Sequence, residues 1–359
     1  LIEHAVSPKI LFVPVSGAYG KGEYARSLAI AEAARQRWRQ ADIQFVLSRE
    51  APYAASVPFA ATLLSSSPTF HSAAVIRLIE SLRPDVVVFD NAGRTAQLRA
   101  ARRAGARVVY ISARARQRRK AFRWRWMSMI DEHWIAYPAF IAGSLNVVER
   151  FKLARLHRPV VRYLDVMLAR GTAADREAIW SGVGFDAGSF VLVVPGGGTG
   201  HPRARDAAQQ FSAAALKLAR GGVPVVYVGP SDAPSAQSPS PSALRRFDSL
   251  PQAQLAELMC GARLVVANGG STLLQAIASG AACVGVAIAQ DQGLRIRRCA
   301  AAGVAVAASL DAESIENTAA GLLRDEASRA ALAKRAADLA LADGVEIALG
   351  ALGRLIDAD

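Results

Sequence analysis

Cysteine is scarce: Cys260, Cys283 and Cys299 are the only three in 359 residues. An odd number without CxxC spacing argues against a disulfide framework or a cysteine-held metal. It fits small apolar core residues in a reducing compartment. Long hydrophobic runs are missing too. No apolar stretch approaches the ~18–20 residues a membrane-spanning helix needs, and runs such as Val86-Val87-Val88-Phe89 are strand-sized. The first residues offer no basic start followed by an apolar segment, so no signal peptide is expected and the expected location is the cytoplasm. Acidic residues are outnumbered: 30 Asp and Glu against 43 Lys and Arg leave a net charge of +13. The imbalance is local. Arg114, Arg116, Arg118, Arg119, Lys120, Arg123 and Arg125 fall within twelve residues with no acid among them. Such a block points to anionic partners: nucleic acid, lipid head groups or phosphorylated substrates.

Apolar residues, by contrast, make up 52% of the chain, enough for two full cores in a length typical of two domains. One pattern occurs twice. In the first half an apolar strand, Ile10–Val15, runs into a glycine-rich turn with Gly17, Gly20 and Gly22, then an Ala-rich helix to about Gln40. In the second half Phe190–Val194 runs into Gly196-Gly197-Gly198-Thr199-Gly200, then a helix over Ala207–Ala219. Further continuous apolar strands follow: Ile43–Leu47, Val86–Phe89 and Val108–Ile111, then Val223–Val228, Leu264–Ala267 and Cys283–Ala287. Continuous rather than alternating apolar runs mean strands buried on both faces. With helices between them they predict parallel sheets flanked by helices. The fold class is α/β, with two Rossmann-like domains over 1–164 and 165–359 joined near Pro159–Asp165. The Pro/Ser-rich stretch from Asp232 to Ser242 reads as a surface loop, and Ala327–Leu355 as an Ala/Leu-rich helix.

The segment from Leu264 carries the most chemistry. Its strand ends in Asn268-Gly269-Gly270 and a helix starts at Ser271. Glycines let a backbone approach a ligand, and the first helical N–H groups suit a diphosphate. Ser271 and Thr272 can add hydroxyl donors. The same four residues are equally a plain helix start with a Ser cap. A strand follows, and after it the polar run Gln290-Asp291-Gln292, which can also be a turn that caps the next helix.

In the first half, Gly20-x-Gly22-x-x-Ala25 matches the dinucleotide fingerprint, but the acidic residue expected ~20 positions on is missing; Glu50 comes too late. A purely structural turn is a second reading. Asp90-Asn91 closes the strand Val86–Phe89, at the end where open α/β sheets place ligand groups. Asp90 is therefore a candidate base or acceptor contact, or else a helix cap.

From Phe190 to Val306 the chain resembles the C-terminal donor-binding region of the MurG-like GT-B glycosyltransferases (glycosyltransferase family 28), which include the peptidoglycan lipid-linked N-acetylglucosaminyltransferase. The residues that carry the likeness are the Gly-Gly-Ser-Thr turn, the helix and strand after it, the Asp-Gln pair and a following helix that ends in Gly. The resemblance is looser in the first half, where Gly20-Lys21-Gly22-Glu23-Tyr24-Ala25-Arg26 is similar to the family's GxGHxxR turn. It implies a GT-B fold, two Rossmann-like domains with parallel sheets facing a cleft. It implies a nucleotide-diphosphate sugar as donor substrate, inverting transfer, and no metal or other cofactor. Asp291 and Gln292 match the pair that bonds sugar hydroxyls, and Ser271 and Thr272 lie near the diphosphate. Gln275 stands where the family has a Glu on the ribose, and Phe247 where the base is met, though Phe247 is equally a core aromatic. Gly198 and Thr199 are further donor-binding candidates, and His201 either reaches the donor phosphates or is an incidental loop residue. Glu23 replaces the family's His; a carboxylate can serve as general base, while an acid in a first helical turn is also favoured by the dipole alone.

The basic block runs into Phe122, Trp124, Trp126, Met127 and Met129. Arg118, Arg119, Lys120, Trp124 and Trp126 suit an anionic membrane interface, a single-stranded nucleic acid, or a solvated helix with core aromatics. The resemblance favours the membrane, because relatives with lipid-diphosphate acceptors dock through a basic and apolar patch on the N-terminal domain. The function expected is sugar transfer to an acceptor, lipid-linked or membrane-borne, by an enzyme peripheral to the inner membrane face, with nucleic acid not expected as a partner. A hydrolase or epimerase of the same fold and a non-catalytic binding protein are the alternatives.

Overall fold

The computed structural model describes residues 7–18, 21–168, 171–196, 204–230 and 241–357. They form two compact units, one of residues 1–167 and 342–359, the other of residues 168–341.

The first unit is built on β1 (Lys9–Pro14), α1 (Gly22–Arg37), β2 (Asp42–Ser48), β3 (Ala60–Leu64), α2 (Ser72–Leu82), β4 (Val86–Asp90), α3 (Thr95–Arg103) and β5 (Arg107–Ser112). Short helices α4 (Ala115–Ala121) and α5 (Trp124–Met127) follow, then β6 (Glu132–Ile135), α6 (Ala139–Ala142), α7 (Val147–Leu156) and β7 (Val160–Tyr163). The described strands form one parallel sheet in the order β3-β2-β1-β4-β5-β6-β7. Its core lies on both faces. Ile10, Phe12, Val86 and Val88 pack one side, and Leu11, Val13, Val87 and Phe89 the other. That is why these strands read as unbroken apolar runs.

The second unit contains α8 (Ala173–Val183), β8 (Val191–Val194), α9 (Ala204–Arg220), β9 (Val225–Val228), β10 (Leu244–Phe247), α10 (Gln252–Gly261), β11 (Leu264–Asn268) and α11 (Ser271–Ala278). It continues with β12 (Cys283–Val286), α12 (Gln290–Ala301), β13 (Val306–Ala308), α13 (Ala312–Arg324) and α14 (Glu326–Asp338). Its parallel sheet runs β10-β9-β8-β11-β12-β13. In both sheets the strand order reverses beside the first strand, between β1 and β4 and between β8 and β11. Open α/β sheets bind ligands at such switch points, outside the carboxyl ends of the strands.

The last helix, α15 (Gly344–Ile356), departs from the simple division at residue 164. It returns to the first unit, where Val345, Ala348, Leu349, Ala351 and Leu352 join the core beneath α1. Gly344 N–H donates to the Val166 carbonyl, and Ala342 N–H to the Asp165 carboxylate. Gly344 leaves no room for a side chain against the Leu164 carbonyl. Cys283 and Cys299 are core residues as expected, but Cys260 is exposed at the end of α10. Among the described residues no helix is long and apolar enough to cross a membrane.

Candidate functional site

At the first switch point the chain leaves β4 through Asp90 and Asn91. Asp90 is not the available carboxylate that its strand-end position implies. It is fully buried, and Arg26 of α1 grips it through Nε at 2.9 Å and Nη2 at 2.6 Å, with the Ser27 hydroxyl at 3.5 Å. Burial pushes the Asp90 carboxyl up to about 6, against the pull of Arg26. Both oxygens are engaged, so Asp90 ties β4 to α1 and has no free edge for proton abstraction.

Glu23 stands in the first turn of α1, half-exposed. Its Oε1 accepts from Asn91 Nδ2 at 2.8 Å. Asn91 is itself pinned: its N–H donates to the Ile111 carbonyl, and its Oδ1 accepts from the Ala113 N–H at 2.8 Å. Its φ of 52° lies in the left-handed region, which Asn tolerates better than most residues. One carboxylate oxygen is thus fixed from the sheet edge. The Tyr53 hydroxyl is buried without a partner, and burial together with the Glu23 charge raises its pKa. Of the turn glycines, Gly22 opens α1 and Gly17 has open space around it. Gly20 lies outside the described residues.

At the second switch point Asn268 organises the turn. Its Nδ2 donates to the Pro195 carbonyl at 2.7 Å and its Oδ1 accepts from Gly270 N–H at 2.8 Å, so one buried amide links the ends of β8 and β11. Gly196, at φ 81°, leaves no space for a side chain against that amide. A Cβ on Gly269 would stand 2.7 Å from Ile296 Cδ1 and 2.9 Å from Gln292 Cβ; α12 packs directly on the turn. Helix α11 starts at Ser271 without a side-chain cap. The amides of its first turn, Ser271 to Leu273, have no intrahelical partner, and Ser271 is exposed.

Asp291 opens α12 with its side chain 71% exposed. Gln292 is buried, and its Oε1 accepts from Ile288 N–H at 3.0 Å, which fixes the direction of the amide. Gln275 lines a narrow crevice with Gln252, Leu255 and Met259 of α10. Phe247 ends β10 half-buried, its ring 3.9 Å from where a Cβ on Gly182 of α8 would lie. Gly198, Thr199 and His201 lie outside the described residues. No group of acidic, His and Cys residues able to hold a metal occurs among the described residues.

The basic segment divides. Arg118 is buried, bound to Glu149 by Nε at 3.0 Å and Nη2 at 2.7 Å, and donates to the carbonyls of Ala142, Gly143 and Ser144. Lys120 donates to the Gly93 carbonyl and lies over the Trp126 ring at 4.1 Å. Burial, then neighbouring arginines, lowers it to about 8. Trp126 is core, its Nε1 donating to the Thr95 hydroxyl. Arg118, Lys120 and Trp126 therefore hold the fold together and are not a surface for lipid. Arg119 and Trp124 are exposed.

Four residues that organise these sites were not sequence candidates: Arg26, Asn91, Asn268 and Arg295, whose Nη1 donates to the Gly269 carbonyl from α12. The signal for the two asparagines was a polar residue closing an otherwise apolar strand. Arg26 stands in the sequence motif 20–26 and Arg295 four residues after Asp291, but their holds on Asp90 and on the Gly269 carbonyl join residues far apart in sequence, which only folding brings together.

The chain matches no protein-family model and no curated protein. It does resemble solved structures over nearly its whole length. The spinosyn forosaminyltransferase SpnP is 14% identical with a TM-score of 0.67, covering 98% of this chain and 100% of its own. The glycosyltransferase VinC, in complex with dTDP, is 13% identical at 0.65, with 98% and 100% covered. A putative UDP-N-acetylglucosamine 2-epimerase from Listeria monocytogenes is 13% identical at 0.60, with 98% of each chain covered. At these identities the likeness establishes the fold: GT-B, with two Rossmann-like parallel-sheet domains. It does not single out the lipid-linked N-acetylglucosaminyltransferase family.

Proposed function

We propose that the chain is a glycosyltransferase that moves a sugar from a nucleotide-diphosphate donor to an acceptor hydroxyl, with inversion at the anomeric carbon and without a resident metal. The observation that carries this reading is the second-unit turn, where the uncapped start of α11 and the exposed Asp291 flank two glycines. The diphosphate would lie on the α11 first-turn amides and the Ser271 and Thr272 hydroxyls, where the helix dipole favours negative charge. Asp291 would accept from sugar hydroxyls. Glu23, one oxygen held by Asn91, would take the proton of the acceptor hydroxyl with the other. As the acceptor oxygen bonds to the anomeric carbon, the carbon–oxygen bond to the diphosphate breaks and the diphosphate leaves with that electron pair. The test is a thermal-shift panel of UDP- and dTDP-sugars. A ligand held at 100 times its Kd stabilises the native state by ~2.7 kcal/mol, so one nucleotide class should raise the melting point; a flat panel would sink the reading. The likeness to a 2-epimerase favours a second reading, ring chemistry or hydrolysis on the same donor. Free sugar or epimer formed without acceptor would select it.

The acceptor side fits a membrane-borne substrate, with the contact surface centred on α7. Val147, Val148 and Phe151 are 72%, 60% and 63% exposed, and Trp124 is 45% exposed. The Lys152 ammonium lies 5.7 Å from the Trp124 ring, so α5 and α7 share this face. Arg123 and Arg125 at α5 and Arg150 and Arg155 on α7 are exposed, as is Arg119 on α4. The three acids between residues 91 and 164, Asp131, Glu132 and Glu149, each pair with an arginine. Exposed apolar side chains ringed by unopposed cations suit an anionic lipid surface.

A further inference from the structure

We propose that Arg295 is a positioning residue of the donor site: its buried guanidinium joins the phosphate-side turn to the sugar-side carboxylate and holds the two in register. This rests on the donor reading above. Arg295 sits on α12, one helical turn after Asp291, and is only 8% exposed. Its Nη1 donates to the Gly269 carbonyl, and its Nη2 lies 3.4 Å from Asp291 Oδ2.

The turn is held from three directions. Gly269 N–H donates to the Val286 carbonyl, Gly270 N–H to Asn268 Oδ1, and the remaining carbonyl, that of Gly269, takes the Arg295 guanidinium. The first two holds come from the sheet and from the turn's own strand. Only the third comes from α12, the helix that also carries Asp291. A planar guanidinium can serve a carbonyl and a carboxylate at once in fixed geometry, which an ammonium on a flexible stem cannot reproduce. It also places a positive charge beneath the turn on which the diphosphate would rest, in surroundings where screening by water is weak. The Asp291 side chain is otherwise 71% exposed, and the Arg295 guanidinium is the contact that directs it.

The experiment compares wild type with Arg295→Lys and Arg295→Gln in binding UDP, dTDP and their glucose and galactose conjugates by calorimetry. Losing a hydrogen bond to a charged group lowers affinity by about tenfold or more. Arg295→Lys should therefore stay folded, lose about tenfold in diphosphate affinity, and lose the preference between the two epimers. In a double-mutant cycle with Asp291→Asn the effects on epimer preference should be non-additive. A folded Arg295→Lys with unchanged affinity and preference overturns the proposal, as does an additive cycle. If both Arg295 variants unfold, Asp291→Asn alone decides: an unchanged epimer preference overturns the proposal and a lost one supports it. Wild type that binds none of the probes overturns the donor reading, and this proposal with it. Binding that the variants leave intact overturns this proposal only.

Discussion

At the scale of residues, the two adjacent groups at the end of β4 illustrate how burial assigns roles. Asp90 and Asn91 share a strand end, yet one is locked to Arg26 and the other supports Glu23. Glu23→Gln keeps size and polarity and removes basicity. Turnover is expected to fall by ~100-fold or more with donor affinity little changed; near-normal turnover would remove Glu23 from the mechanism. A second residue-scale prediction concerns acid stability. His133 is fully buried in β6, its Nε2 2.9 Å from the Ser112 hydroxyl and its Nδ1 without a partner. Burial, with Arg118 nearby, lowers it to about 3. The neutral form is the one that folds, so its contribution is fully present above the unfolded value of ~6.5 and is lost as pH falls towards 3. Between pH 7 and pH 5 this amounts to ~2 kcal/mol. Asp90, raised to about 6, works oppositely between its ordinary value and 6, so the wild-type profile combines two slopes of opposite sign. Denaturant unfolding of His133→Gln at both pH values isolates one of them: the stability difference between wild type and variant should change by ~2 kcal/mol in the variant's favour at pH 5. An equal difference at both pH values would show that His133 does not titrate as its burial demands.

At the scale of elements, what the sequence exposed was burial on both faces. Strands such as Val86–Asp90 and Leu264–Asn268 were legible because each is an unbroken apolar run up to one closing polar residue. β6 was not. Glu132-His133-Trp134-Ile135 looks polar until its partners are in place: Glu132 takes Arg162 from the neighbouring strand at 2.8 and 2.9 Å, and His133 takes Ser112. The segment Arg114–Arg125 misled for a related reason. Its composition announces positive charge, but Arg118 meets Glu149 thirty-one residues on, and no local pattern records that pairing. The Asn268-Gly269-Gly270 turn was legible as a glycine-rich strand end; its grip by Arg295 was not. The apolar face of α7 yields a test of the membrane reading. Each cation near an anionic surface contributes ~1 kcal/mol, enough with Trp124 and Phe151 for reversible binding. Vesicles with anionic lipid should bind the protein at low salt and release it as the Debye length shortens. Trp124→Ser with Phe151→Ser should reduce binding at least tenfold without lowering the melting point, since both rings are exposed. Arg118→Ser should instead cost stability, because it strands Glu149. No flotation at low salt would sink the lipid surface. A tight salt-sensitive complex with single-stranded nucleic acid would replace it.

At the scale of the whole molecule, the chain crosses between units twice, after Met167 and after Leu341. The sequence reads as one Ala/Leu-rich helix over Ala327–Leu355, but the structure breaks it into α14 in the second unit and α15 in the first; amphipathic spacing carries no address, and the destination of α15 emerges only from the fold. The address is written in backbone contacts: Gly344 fits where a side chain cannot, and its N–H meets the Val166 carbonyl. The consequence can be sized. Val345, Leu349 and Leu352 are at most 8% exposed, and burying a side chain of this kind contributes ~1.5–3 kcal/mol. Together they amount to roughly 5–9 kcal/mol, against ~5–15 kcal/mol for a typical domain. A chain ending at Leu341 is therefore expected to lose cooperative structure in the first unit and keep it in the second. Hydrogen exchange resolves the two: amides of β1 and β4 should lose protection while those of β8 and β11 retain it. Native-like protection throughout would mean that α15 is ornamental to the first core. If the loss is seen, the first unit cannot complete its core during synthesis until α15 emerges, although most of its chain is made first. The usual order, in which N-terminal domains fold ahead of the rest, is then reversed for these two units: residues 168–341 are free to fold first, and the unit that holds Glu23 is completed after them.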